Sequence, residues 1–134
     1  MSHLVPSQRI LVVDDEPLIR ESLEMVLIFG GHTVEAASGG PEALQKLAQQ
    51  KFDIVFTDRK MLQMSGDELA RFIKKKYPLQ VIVMATAYPF SLDPGQGKAT
   101  AIDFIITKPF GLEILGSAVR RAHEINLENR KLAR

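Results

Sequence analysis

The sequence predicts an α/β domain: a doubly wound parallel sheet of five strands with helices on both faces. Three observations predict it. Five short apolar runs are rich in β-branched residues and too short for helices. Four of them are almost continuously apolar, as in strands covered on both sides, and amphipathic helical patterns separate successive runs. Alternation of this kind implies parallel strands joined by right-handed crossovers.

Taken in order, the first strand is RILVV, residues 9–13. Pro17 then starts a helix with Ile19, Leu23, Val26 and Leu27 on one face, since proline suits the first helical position. The second strand, HTVEAA, is less apolar than the others, which suits a sheet edge. Pro41 starts the second helix, with Ala43, Leu44, Leu47 and Ala48 as its apolar face. FDIVFT is the third strand. The helix after it opens with Ser65 and Glu68 at capping-box spacing, before Leu69, Phe72, Ile73 and Tyr77. QVIVMAT is the fourth strand and DFIIT the fifth. Between these two lies YPFSLDPGQGKATAI, whose Pro89, Pro94, Gly95 and Gly97 are poor helix residues; the helix expected there should be short, displaced or disordered. From Gly111 a last helix carries Leu115, Ala118, Ala122, Ile125, Asn129 and Leu132 at alternating spacings of three and four. These are heptad a and d positions, and an Asn at one of them is a device for fixing the register of a helix pair. Beyond Ala122 this helix has no obvious core to cover.

With 134 residues the chain suits one domain, burying about two thirds of its unfolded surface. It has no cysteine, which excludes a disulfide framework and thiolate metal sites and fits a reducing cytoplasm. A net charge of +1, with no basic stripe interleaved with aromatics, argues against direct nucleic-acid binding. No apolar run approaches the roughly 20 residues of a membrane span, and the N-terminal segment lacks a signal-peptide pattern. A cytoplasmic protein is the expectation.

Five polar residues stand where apolar strands run out. Asp14 and Asp15 follow the first, Asp58 the third, Thr86 the fourth and Lys108 the fifth. In an open parallel sheet the carboxyl ends of the strands line one edge, where ligands bind. Three carboxylates brought together there repel one another unless a cation sits among them, and an all-oxygen set suits Mg²⁺. A carboxylate in such a site can act as a nucleophile towards a phosphoryl group. Each residue also has an ordinary reading: one Asp before Pro17 as a helix cap, Asp58 as a turn acid, Thr86 as a strand-end hydroxyl, Lys108 as a solvated lysine. Only their joint order favours a site. His3, His32 and His123 have no partners suggesting catalysis. PGQGKAT is similar to a phosphate-binding loop, but Ala99 stands where Ser or Thr should follow the lysine, so a plain loop is expected.

LVVDDE, FDIVFTD followed by MSG, MATAY and ITKPF together resemble the four signature segments of the response-regulator receiver domain of two-component signalling, over about residues 9–125. The resemblance implies a flavodoxin-like strand order, 2-1-3-4-5, and a phosphoacceptor function without turnover of a separate substrate. Asp58 would accept the phosphoryl group from a sensor histidine kinase or phosphotransfer protein, with Thr86, Lys108 and the backbone N–H groups of Arg59 and Ala87 holding phosphoryl oxygens. Mg²⁺ would be held by Asp14, Asp15, Asp58 and the carbonyl of Lys60, and the Lys108–Pro109 bond would be cis. Residues 1–8 would be a flexible N-terminus, 9–122 the receiver, and 123–134 a helical extension leading towards a missing output domain, with a homodimer through the last helix as one possible surface. The chain departs from the family pattern at Met61-Leu62, where Met-Pro is usual, and at Ile105, where an aromatic residue is usual. Two alternatives are a receiver-like interaction module that works without phosphorylation and a haloacid-dehalogenase-like phosphatase. The second needs a D-x-D pair on the first strand, whereas Arg59 and Lys60 follow Asp58.

Overall fold

A computed structural model of the chain describes residues 5–87 and 101–132. The elements run β1 (Arg9–Val13), α1 (Pro17–Phe29), β2 (Thr33–Ala37), α2 (Gly40–Gln49), β3 (Ile54–Asp58), α3 (Gly66–Lys76), β4 (Val81–Thr86), β5 (Phe104–Thr107) and α4 (Leu112–Leu132). All strand pairs are parallel, in the order β2-β1-β3-β4-β5. The expected fold class and strand order are therefore met, and the weakly apolar β2 is an edge strand. The segment expected to hold a broken helix, including PGQGKAT, falls on residues 88–100, outside the described residues.

Period-two alternation along each strand divides the core in two. Ile10, Val12, Ile54, Phe56, Val81 and Val83 point to one face, where α1 supplies Leu23 and Leu27 and α4 supplies Leu115, Ala118, Val119 and Ala122. Leu11, Val13, Val55, Ile82 and Met84 point to the other, under Ala43 and Leu47 of α2 and Leu69, Ala70 and Ile73 of α3. Because β1, β3 and β4 are covered on both sides, residues 10–13, 54–56 and 81–85 are apolar throughout, and the buried Thr57 donates its hydroxyl to the Asp58 carbonyl at 2.9 Å.

Helix starts follow the sequence signals. Pro occupies the first turn of α1 and of α2, and Ser65 and Glu68 close a full capping box on α3. Two residues assigned to buried faces are exposed instead: Ala48 on α2 and Phe72 on α3, the latter 54% exposed. Each lies on the flank of a stripe whose centre is set by other residues, Leu47 with Ala43 in α2, and Leu69 with Ala70 and Ile73 in α3.

Helix α4 keeps its hold on the domain beyond Ala122. Ile125 packs against the first core cluster, the Asn126 side chain donates to the Asp53 carbonyl at 2.8 Å, and Asn129 donates to the Leu79 carbonyl at 3.2 Å. The residues read as a heptad seam thus face the chain's own sheet as far as Ile125. Asn129 is engaged within the chain, because the helix lies over the amino ends of β3 and β4, whose connecting loops present carbonyls to it.

Gly31, with φ +95°, turns the chain from α1 into β2. The next residue, His32, accepts the buried Gln8 backbone N–H on Nδ1 at 3.0 Å, and burial lowers its pKa. A base with a lowered folded pKa stabilises the fold above its unfolded value, 6.5, and that contribution fades as pH falls through the folded value. His32→Ala should cost about 1 kcal/mol at pH 8, the size of one lost hydrogen bond. Denaturant titrations should show this gap to the parent narrowing at pH 5.

Candidate functional site

Sheet order converts distant sequence positions into neighbours. Register pairs Val13 with Thr57, Asp58 with Ala85 and Thr86 with Thr107, so Asp14, Asp58, Thr86 and Lys108 stand in a row along the carboxyl edge of β1, β3, β4 and β5. Asp58 and Thr86 are themselves the last residues of their strands. Carboxylate oxygens of Asp14, Asp15 and Asp58 all lie within 4.8 Å of one another.

The Lys108 ammonium sits between two of the acids, 3.3 Å from Asp14 Oδ2 and 3.3 Å from Asp58 Oδ1. The Lys108–Pro109 bond is cis, as the resemblance implied, and the Lys108 N–H donates to the Thr86 carbonyl at 2.9 Å, joining the ends of β4 and β5. Asp14 is buried at 1% exposure. Its Oδ1 accepts the Glu16 N–H at 2.9 Å, and its carbonyl accepts Arg20 Nη1 at 2.7 Å. Neither Asp caps α1: the N-cap is Glu16, with no side-chain cap, because Asp14 is turned towards Lys108 and Asp15 towards the loop after β3. Asp15 Oδ2 accepts the Leu62 N–H at 3.1 Å.

Asp58 is half-buried, and Oδ1 accepts the Arg59 N–H at 2.8 Å. Burial raises its pKa above the ordinary 3.8; the Asp14 carboxylate adds to the rise, while the Lys108 charge and the Arg59 N–H oppose it. Thr86 is buried, and Ala87 and Lys60 are exposed beside it and beyond Asp58. The structure therefore brings Asp14, Asp15, Asp58 and Lys108 into one cluster and sets Thr86 on the adjoining strand end.

Three supports carried no signal in the sequence. Arg20 acts on a main-chain carbonyl, to which no motif points. The Arg59 side chain is buried and pairs with Asp67 of α3, Nε to Oδ2 at 3.2 Å. Gly66 donates its N–H to the Arg59 carbonyl at 2.7 Å, and a Cβ there would overlap the Asp58 carbonyl oxygen and press on Met84 Cε at 3.0 Å. Its place inside MSG was visible, its purpose was not.

The donor set fits a hard divalent cation: oxygens only, converging, with net negative charge that a lysine already offsets in part. The model of the family "response regulator receiver domain" matches residues 10–120. The chain belongs to that family. This receiver domain is 38% identical over 128 residues to the sensory transduction protein LytR of Staphylococcus haemolyticus, covering 89% of this chain and 47% of that protein. It is 38% identical over 135 residues to the response regulator PilR of Pseudomonas aeruginosa, covering 93% of this chain and 30% of that protein. The receiver thus spans half or less of the length of these relatives. Among solved structures, the response regulator TrrA of Thermotoga maritima, in complex with Mg²⁺ and BeF, is 36% identical with a TM-score of 0.75, covering 86% of this chain and 98% of that one. Membership of the family removes the dehalogenase-like alternative. No helix among the described residues is long and apolar enough to cross a membrane.

Gly66→Ala should destabilise the domain by about 1–3 kcal/mol, the usual cost of forcing atoms into a packed site, because the clash is with rigid backbone. Thermal unfolding measures this, and the Asp58 NMR resonances should shift in the same variant.

In the metal-free protein, an acid with a raised folded pKa destabilises the fold progressively as pH rises above its unfolded value of 3.8. With chelator present, Asp58→Asn should be at least as stable as the parent at pH 7. Urea titrations should show that advantage shrinking as pH is lowered towards 3.8.

Proposed function

We propose that this receiver domain accepts a phosphoryl group onto Asp58 from the phosphohistidine of a sensor histidine kinase or phosphotransfer protein, and changes an output surface in response. The observation that carries this reading is the unequal setting of the acids. The Asp14 side chain is 2% exposed and held by both Glu16 and Lys108, whereas that of Asp58 is 13% exposed, with both of its described contacts on Oδ1. Asp58 Oδ2 is therefore the oxygen that meets phosphorus. As the new O–P bond forms, the donor's N–P bond breaks and its electron pair returns to the histidine nitrogen. Lys108 stands ready to hold a phosphoryl oxygen, with Thr86 and the backbone N–H groups of Arg59 and Ala87.

Asp14, Asp15, Asp58 and the Lys60 carbonyl would hold Mg²⁺, whose bound charge would offset that of the incoming phosphoryl oxygens. The complex of TrrA with Mg²⁺ and BeF supports this for the present chain. A protein donor fits the surroundings as well: an apolar recess of about 660 Å³ opens beside Lys108, lined by Leu18, Ile19, Phe110 and Leu112 among others. Hydrolysis of the acyl phosphate in the same site would return the switch, without turnover of a separate substrate.

The greater length of the relatives supports an output domain beyond the receiver, with residues 1–8 as an N-terminal segment, 9–122 as the receiver and 123–134 as a helical extension that stays fastened to the receiver as far as Asn129. The lack of cysteine fits a cytoplasmic setting. A homodimer through α4 would use Leu127 and Leu132, which are exposed, since Leu115 to Ile125 cover the sheet.

Acetyl phosphate with Mg²⁺ should add one phosphate by intact-mass measurement. None should be added to Asp58→Asn, or in the presence of chelator, and Asp15→Ala should lose its response to Mg²⁺. Phosphate retained by Asp58→Asn would overturn the assignment.

A further inference from the structure

We propose that the main-chain N–H of Leu62 is a positioning group for Asp15, holding its carboxylate in the orientation that receives Mg²⁺; this rests on the metal site proposed above. The Leu62 side chain is 91% exposed, yet its N–H donates to Asp15 Oδ2 at 3.1 Å across 47 residues of sequence. A proline at this position, the usual residue by resemblance, has no N–H to give. The chain thus gains a contact through its departure from the pattern.

The loop that carries this N–H is fastened at both ends. Arg59 pairs with Asp67 and accepts from Gly66, Ser65 is tied into the capping box of α3, and Met61 packs against the second core cluster. A donor on so constrained a loop is a fixed partner. Asp14 is buried and bonded to Glu16 and Lys108, whereas the Asp15 side chain takes its contact from the Leu62 N–H. The loop engages Oδ2, while one carboxylate oxygen of Asp15 lies within 4.8 Å of those of Asp14 and Asp58. Groups that orient a metal's ligands commonly set its affinity, by tenfold or more when they are removed.

The test replaces the amide at position 62 with an ester, incorporating the α-hydroxy analogue of leucine, which deletes the N–H and keeps the side chain. Titration of the full chain with Mg²⁺ alone should show affinity about three- to tenfold weaker than the parent, the lower end reflecting the exposed setting. Leu62→Ala, which retains the N–H, should bind as the parent does. An ester variant with unchanged affinity overturns the role of this N–H and leaves the metal site standing, whereas a parent that binds no Mg²⁺ overturns both. Should the ester variant fail to fold, hydrogen exchange decides: without metal, the Leu62 amide should exchange several-fold faster in Asp15→Ala than in the parent, and equal rates overturn the proposal.

Discussion

Three carboxylates with oxygens within 4.8 Å of one another repel, and the rest of the structure is what keeps them there. The repulsion is met from two directions. Lys108 brings a positive charge between Asp14 and Asp58, and backbone N–H groups of Glu16, Arg59 and Leu62 each face one of the acids. One lysine among three carboxylates leaves the cluster with net negative charge, which suits it to taking up a cation. Burial, with the Asp14 carboxylate adding to it, raises the Asp58 pKa against the opposing Lys108 charge.

The same strand geometry builds the core and the site. Apolar residues alternate to two faces along β1, β3 and β4, and the acids and Thr86 of the site stand at or just beyond the carboxyl ends of those strands. Parallel pairing then puts all the carboxyl ends on one edge, so the acids of β1 and β3 and the lysine after β5 converge without any being close in sequence. Lys108 also joins β4 to β5 through its N–H on the Thr86 carbonyl. The end of β4 is therefore tied mechanically to the residue that contacts Asp58.

Away from the site, contacts to the main chain do comparable work. Asn126 and Asn129 fasten α4 over the amino ends of β3 and β4, at the opposite edge from the acids. The last helix is thus seated on the element that ends in Asp58. Leu127 and Leu132 of the same helix stay exposed.

The amino-acid sequence by itself determined the fold class, the strand order's weak edge at β2, the helix starts at Pro17, Pro41 and Ser65, and the five polar residues of the candidate site. Each of these depends on local periodicity, on a residue's own backbone preference, or on the rule that parallel strands share a carboxyl edge. Helix faces were legible to within one flank, which is why Phe72 and Ala48 were placed inside. Only the tertiary structure decided which residues support the site: Arg20 on the Asp14 carbonyl, Gly66 against the Asp58 carbonyl, Arg59 with Asp67, and the Leu62 N–H on Asp15. It also decided that Asn129 donates to the Leu79 carbonyl of its own chain. Most of these contacts involve main-chain N–H or C=O groups, which every residue carries, so side-chain pattern gives no sign of them until the chain is folded.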